Sequence, residues 1–280
     1  MFYLIKKSKG ESSFQAIRNF ARNNGIRKVG HSGTLDPLAT GLLLVATNED
    51  TKLLRYIDNK TKKYIVSGYF GAEYDTYDIE GEIISSTDQK VSQEKFLEKL
   101  DELAKLKTQV PPIFSAKKIN GIKAYDLARA GKSVELKPQN IEVYFYKVLE
   151  FSFEKQFFKI EFHVSEGTYI RSLVHDLGKM CDNYAYMSDL ERHKIGDQEM
   201  WEDHQLYSEI AWDKIIKMNK LPVEQCDMVR LQNGNEFKIE QKDGLCAVVN
   251  KDNEVLSVVE IKNSVAYPKN VFHSRLNKEK

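Results

Sequence analysis

The chain has 280 residues, 41% hydrophobic and 30% charged, with a formal net charge of +1. That length allows a sizeable core, as one large domain plus a small one. No apolar stretch reaches secretory or membrane length, and Cys181, Cys226 and Cys246 form no CxxC pair, which disfavours a membrane protein and a zinc site and points to a reducing compartment.

The near-neutral total hides an asymmetry. Residues 1–72 hold twelve Lys/Arg against five Asp/Glu, and residues 198–260 hold seven against thirteen. A basic first third points to a polyanionic partner, with plain solvated faces as the alternative. Ser12 opens a capping box with Gln15, and Phe14, Ile17, Phe20 and Ala21 follow at helical spacing, with Gly25 as a stop. On this pattern Arg18 and Arg22 lie away from the apolar stripe, free to meet solvent or phosphate. Gly30 to Gly41 is a loop, and Leu42 to Ala46 is the most apolar run of the chain, a buried strand by length and composition. In the loop Asp36 precedes Pro37, which biases it toward an extended backbone. Gly33 and Gly41 permit tight turns or close approach of another chain. The result is a carboxylate on a stiff loop at the mouth of a core strand. On spacing alone, such an Asp is more often a turn residue.

Lys63 to Gly71 alternates like a strand, and the polar turn Asp75 to Gly81 leads into Ile83 and Ile84. Ser92 to Lys107 reads as an amphipathic helix with Phe96, Leu97, Leu100, Leu103 and Ala104 on one face, ended by Pro111 and Pro112. Beyond it, Lys117, Lys118 and Lys123 interleave with Phe114 and Tyr125. That composition suits backbone contact plus stacking on RNA, or else an exposed basic loop. Ile141 to Phe151 and Phe157 to Val164 are strand-like. Ser165 to Thr168 then turns the chain into a helix with Ile170, Leu173, Val174 and Leu177 on its buried stripe. Arg171 falls on the first turn of that helix, where the dipole favours acids. A locally unfavourable choice of this kind suggests a role elsewhere. From about Leu221 the composition shifts, and Cys246 to Val249 and Val255 to Ile261 flank a hairpin turn at Lys251 to Asn253.

The stretch from Gly30 onward resembles the catalytic loop of the TruB-type tRNA pseudouridine synthase family. The shared letters are Gly30, His31, Gly33, Thr34, Leu35, Asp36, Pro37, Ala39, Gly41 and Leu43, then Thr51, Lys52 and Leu53. Other segments are similar to the same family: Lys63, Tyr64, Gly71, Thr76, Asp78 and Gly81; the arm segment from Pro111 to Arg129; Ser165, Gly167, Thr168, Tyr169, Ile170, Arg171, Ser172 and Leu173; and Leu190, Arg192 and Gly196. Two departures stand out. Lys6, Lys7 and Ser8 replace an Asp-Lys-Pro and receive no role, and Glu191 replaces an Arg, which removes one phosphate anchor.

The resemblance implies isomerisation of uridine to pseudouridine at position 55 in the T loop of tRNA. Asp36 would be the catalytic carboxylate. Arg171 would hold it ionised and aim it through two parallel hydrogen bonds. Tyr64 would stack on the uracil and move a proton at C5. His31 would fill the gap left by the flipped base. Lys118, Tyr169 and Arg192 would contact the substrate, as would Arg129. No electrons enter and no group leaves, so neither cofactor nor metal is expected. The expected partner is the T arm of tRNA, without a membrane, for a cytoplasmic monomer. Two alternatives stay open: a tRNA-binding and folding factor, and a pseudouridine synthase acting on another RNA.

The expected architecture is α+β. Residues 1–220 would form a mixed, mostly antiparallel sheet with flanking helices and an RNA-gripping arm near 108–135. Residues 221–275 would form a small β domain of the PUA type, and residues 276–280 a frayed tail.

Overall fold

The computed structural model describes residues 1–115, 117–119, 121–123, 136–202 and 205–277. Arg129 and much of the expected arm lie outside these residues. A nine-stranded sheet carries the architecture, which is α+β. Its strands run in the order Val143–Ser152, Phe157–Val164, Lys62–Phe70, Ala185–Ile195, Thr40–Thr47, Phe2–Lys7 and Tyr207–Ile210. Val29–Ser32 pairs with Thr40–Thr47, and Gln198–Glu199 with Ala185–Ile195. One pairing is parallel, where Glu191 faces Thr40 and Arg192 faces Gly41; the others are antiparallel.

The apolar run Leu42 to Ala46 lacks alternation because its strand is covered on both faces. Leu43 and Val45 join the core beneath the helices, while Leu42, Leu44 and Ala46 meet Trp212, Val258 and Phe272 on the other side. The Lys62–Phe70 strand does alternate. Tyr64, Val66 and Phe70 are buried, and Lys63, Ile65 and Tyr69 are half-buried on the open face.

Three helices cover the first face: Ser13–Asn23, Gln93–Leu103 and Ile170–Met180. Ser12 caps the first, with the reciprocal Gln15 bond in place. Its buried stripe is Ser13, Ala16, Ile17, Phe20 and Ala21. Phe14, expected on that stripe, is 60% exposed and lies under the Arg18 guanidinium. The second helix stops at Leu103, short of the expected Lys107, and Leu97 is exposed. After Ala104 the chain tightens into i→i+3 bonds and then extends, so that Thr108–Gln109 pairs with Gln139–Asn140. Strand pairing, rather than the later prolines, ends this helix.

A second, five-stranded sheet runs Asn219–Pro222, Gly244–Val249, Val255–Lys262, Val265–Val271 and Phe237–Lys238. It has its own core of Leu221, Leu231, Val248, Val259 and Ile261 and packs on the large sheet through Ala247, Val258 and Phe272. The tail does not fray at Leu276. That side chain is fully buried at the end of the His273–Leu276 helix, and the neighbouring Arg275 forks onto Asp50 at 2.9 and 2.8 Å. Residues 278–280 lie outside the described part. Among the described residues, no helix is long and apolar enough to cross a membrane.

Candidate active site

The loop that carries Asp36 is fixed by three buried side chains from distant parts of the chain. Ser13 Oγ donates to the Leu35 carbonyl at 2.8 Å and accepts from the Leu35 N–H at 2.7 Å. Lys7, 2% exposed, sends its ammonium to the carbonyls of Ser8, Glu11 and Pro37. Arg192, wholly buried, donates to the carbonyls of Leu42 at 2.8 Å, Gly33 at 3.1 Å and Thr34 at 3.5 Å. Leu35, Leu38 and Ala39 sink into the core around them. Gly41 is required by close approach, since a Cβ there would sit 2.2 Å from the Arg192 carbonyl oxygen at φ +105°. Asp36 itself stays partly in the open, with its side chain 36% exposed. Fixing a reactive group from behind removes the entropy of finding its geometry during reaction.

Arg171 approaches Asp36 from the first turn of the Ile170–Met180 helix. Its Nε lies 2.9 Å from Asp36 Oδ2, in an ion pair whose Nε–H is not aligned as a hydrogen bond. The fork of two parallel bonds does not form, because both terminal nitrogens are engaged elsewhere. Nη1 donates to the Thr76 carbonyl and Nη2 to the Phe114 carbonyl, each at 2.9 Å, and Nη1 also lies 3.3 Å from Asp78 Oδ2. The side chain is 6% exposed, so Arg171 is a buried cation shared by two carboxylates rather than a surface residue. Burial raises the Asp78 carboxyl above its ordinary range, while Arg171 and the Thr76 hydroxyl pull it down and Asp36 pushes it up. Glu80 is raised for a similar reason, by burial and by the charges of Asp78 and Asp36.

Tyr64 is 6% exposed on the strand beside Arg192, in the same core cluster as Leu35, Leu38 and Ala39 of the loop. Tyr169 caps the Arg171 helix, and its backbone exchanges two bonds with the Gln109 side chain at 2.9 and 3.0 Å. Burial raises its phenol, and the nearby Asp36 charge adds to that. Gln109, Phe114 and Val110 thus fasten the root of the arm to this helix, Val110 through the Ser172 hydroxyl. His31 sits on the Val29–Ser32 strand opposite Val45; burial lowers its imidazole, which favours the neutral ring, and its Nδ1 is buried without a partner among the described residues. Lys118 lies in a two-residue strand paired with Ile122–Lys123, and its side chain is outside the described part.

Arg192 does not meet the expectation of substrate contact. It is fully buried, and its donors go to loop carbonyls, so it supports the loop from behind. Beside it Lys62 is also buried, and burial together with Arg192 pulls its ammonium down to about 8. Sequence reasoning missed Lys7 and Ser13. The only hint for Lys7 is its position, continuing the apolar strand that starts at Phe2. Among the described residues, no group of three His, Cys, Asp or Glu is disposed to hold a metal.

Comparison with known proteins gives a consistent answer. Residues 21–170 match the model of the TruB family pseudouridylate synthase N-terminal domain. The chain is 41% identical to the tRNA pseudouridine synthase B of Mycoplasma mobile, over 99% of this chain and 96% of that one. It is 34% identical to the protein of the same name from Aquifex aeolicus, over 96% and 98% of the two chains. Among solved structures, a chain of a Cbf5–Nop10–Gar1 complex superposes with a TM-score of 0.65 at 19% identity, covering 98% of this chain and 86% of that one. A chain of an H/ACA RNP bound to a substrate RNA does so with a TM-score of 0.63 at 18% identity, covering 96% and 84%. At such identities the likeness is one of fold.

Proposed function

The chain belongs to the TruB family of pseudouridylate synthases, and from that premise we propose that it isomerises uridine to pseudouridine in tRNA, at position 55 of the T loop, with Asp36 as the reacting carboxylate. The net chemistry moves no electrons and loses no atoms. The bond from N1 to the ribose C1′ breaks, the uracil turns, C5 joins C1′, and the proton displaced from C5 is balanced by one gained at N1.

The observation that carries this reading is the 2.9 Å contact between a buried guanidinium and a carboxylate still 36% exposed. Arg171 holds one side of Asp36 and leaves the other open to a nucleotide. A carboxylate in that position can act on C1′ as the glycosidic bond opens. Tyr64, at the edge of the same core, offers its ring to the uracil and its hydroxyl to a proton at C5. His31 takes the space of the base after flipping, which costs about a few kcal/mol in a stacked loop. Tyr169 closes the slot on the side of the arm. Lys118 contributes a phosphate contact. The enzyme acts as a monomer on tRNA in the cytoplasm.

Incubation with tRNA labelled with tritium at uracil C5 tests the reaction, since each turnover releases the label to water. Primer-extension mapping of the product then tests the site. Release with a single new pseudouridine stop at position 55 is the expected outcome. Absence of release, or a stop elsewhere or on another RNA, contradicts the proposal.

A further inference from the structure

Among the described residues, Tyr77 is the only aromatic residue with a left-handed backbone, at φ +64°. Most other non-glycine residues in that region are Asn, Asp or Ser, whose side chains tolerate it better than a bulky ring does. A disfavoured backbone persists only where its surroundings over-determine it, and such positions concentrate at functional sites. Two surroundings act here. The Met187 N–H donates to the Tyr77 carbonyl at 3.0 Å. The Tyr77 ring also lies flat on the His175 imidazole, with centroids 3.7 Å apart and planes 13° from parallel.

His175 stands one helical turn beyond Arg171 and is 5% exposed. Its Nε2 meets Glu73 Oε1 at 2.8 Å, and its Nδ1 lies 3.4 Å from Asp176 Oδ1. The imidazole is therefore pinned at its edge by an acid from the Ala72–Tyr74 strand and covered on its face by Tyr77. The residues on either side of Tyr77 are the two that hold Arg171 Nη1: the Thr76 carbonyl at 2.9 Å and the Asp78 carboxylate at 3.3 Å. Returning Tyr77 to negative φ would rotate these neighbours relative to each other, and they could not both face one guanidinium. Simple filling of the core would not require a strained residue between the two anchors.

We infer that the Glu73–His175–Tyr77 stack is a positioning device for Arg171, and through it for Asp36. This inference rests on the reading of Asp36 as the reacting carboxylate. His175 and Tyr77 are positioning residues, since they act through Arg171 rather than on the nucleotide.

The test compares His175→Ala, His175→Phe and Tyr77→Gly in the full-length protein. Single-turnover tritium release is normalised to folded enzyme, alongside KM for tRNA and exchange of the Arg171 Nε–H by NMR. His175→Ala should lower the rate about tenfold with KM within about twofold of wild type, because Arg171 serves the reaction rather than tRNA binding. His175→Phe restores a flat ring and should recover most of the rate. Tyr77→Gly permits the backbone but loses the ring, and should resemble His175→Ala. In an Asp78→Asn background the His175→Ala penalty should shrink, as expected for residues acting through one anchor. A rate per folded molecule within about twofold of wild type in both ring-deleting variants overturns the inference, as does unchanged Arg171 Nε–H exchange. The NMR readout needs no turnover. An inactive wild type whose Arg171 exchange still depends on His175 would count against the proposed function while supporting the stack. If His175→Ala does not fold, the other two variants decide the matter.

Discussion

The guanidiniums of buried Arg171 and of Arg275, 12% exposed, both cross between distant parts of the chain, yet they treat their carboxylates in opposite ways. Arg275 forks onto Asp50 through both terminal nitrogens, at 2.9 and 2.8 Å, and binds the Val255 carbonyl as well. Asp50 is 8% exposed, and the Met1 ammonium bonds it as well, so no further partner can reach it. Burial would raise its carboxyl, but the bonds from Arg275 and from the Met1 ammonium together outweigh burial and hold it below its ordinary value. Arg171 gives its terminal nitrogens to two carbonyls and meets Asp36 only through Nε, leaving that carboxylate partly open. Full pairing makes a fastener between the two sheets. Partial pairing makes a charge that is held in place and still able to meet a substrate. The presence of a buried ion pair does not distinguish the two, because its net contribution to stability varies in sign; the accessibility of the acid does.

Replacing each acid by Asn breaks this comparison most sharply. Asp36→Asn should cost about a thousandfold or more in rate, roughly 4 kcal/mol of barrier, with little change in thermal midpoint. Asp50→Asn should leave the rate per folded molecule unchanged but destabilise the protein by about 1.5–3 kcal/mol, because Arg275 keeps Glu254 at 3.0 Å but loses its two charged bonds to Asp50; urea titration measures this. Arg171→Lys comes next. A lysine cannot reach Asp36, Thr76 and Phe114 together, so single-turnover release should fall about a hundredfold while tRNA binding holds.

Smaller effects concern pH and stability. Asp50 is held below its ordinary pKa of 3.8, so the stability it contributes is present above that value and lost as pH falls through its lower folded value. The acid limb of a stability–pH curve should therefore flatten in Asp50→Asn. Lys62 has the opposite sign: its folded pKa of about 8 lies below the ordinary 10.5, so holding the charge costs stability below pH 8 and that cost disappears as pH rises toward 10.5. Lys62→Met should stabilise the protein by about 2 kcal/mol at neutral pH and remove this rise from the difference between wild type and variant.

The two regions also differ in how legible they were. The loop around Asp36 was readable because its constraints are local: a proline after the acid, two glycines, and an apolar strand behind. Pairing with Arg171 spans the chain from residue 36 to residue 171, and only the family resemblance suggested it. The single-sided geometry was not readable, since it depends on two backbone carbonyls competing for the guanidinium. Lys7 and Arg192 hold carbonyls from inside the core, and sequence gives no periodic signal for that. Resemblance even misled for Arg192, by suggesting an RNA contact for a side chain that never reaches solvent. Phe14 was misplaced because a stripe shifted by one position fits the same helical spacing, and an Arg one turn away can cover an exposed ring. Arg275 passed unnoticed at the last residue of the expected small β domain, where no periodic pattern marks it.

Enzyme-excess tritium release from one preparation of folded tRNA, run beside filter binding of the same tRNA, tests the role of Asp36 most directly. Wild type should release the label in a single phase. Asp36→Asn should bind with a Kd within about threefold of wild type and release nothing above background. Measurable turnover by the Asn variant, or loss of binding in step with loss of release, would contradict the assignment of the chemistry to this carboxylate.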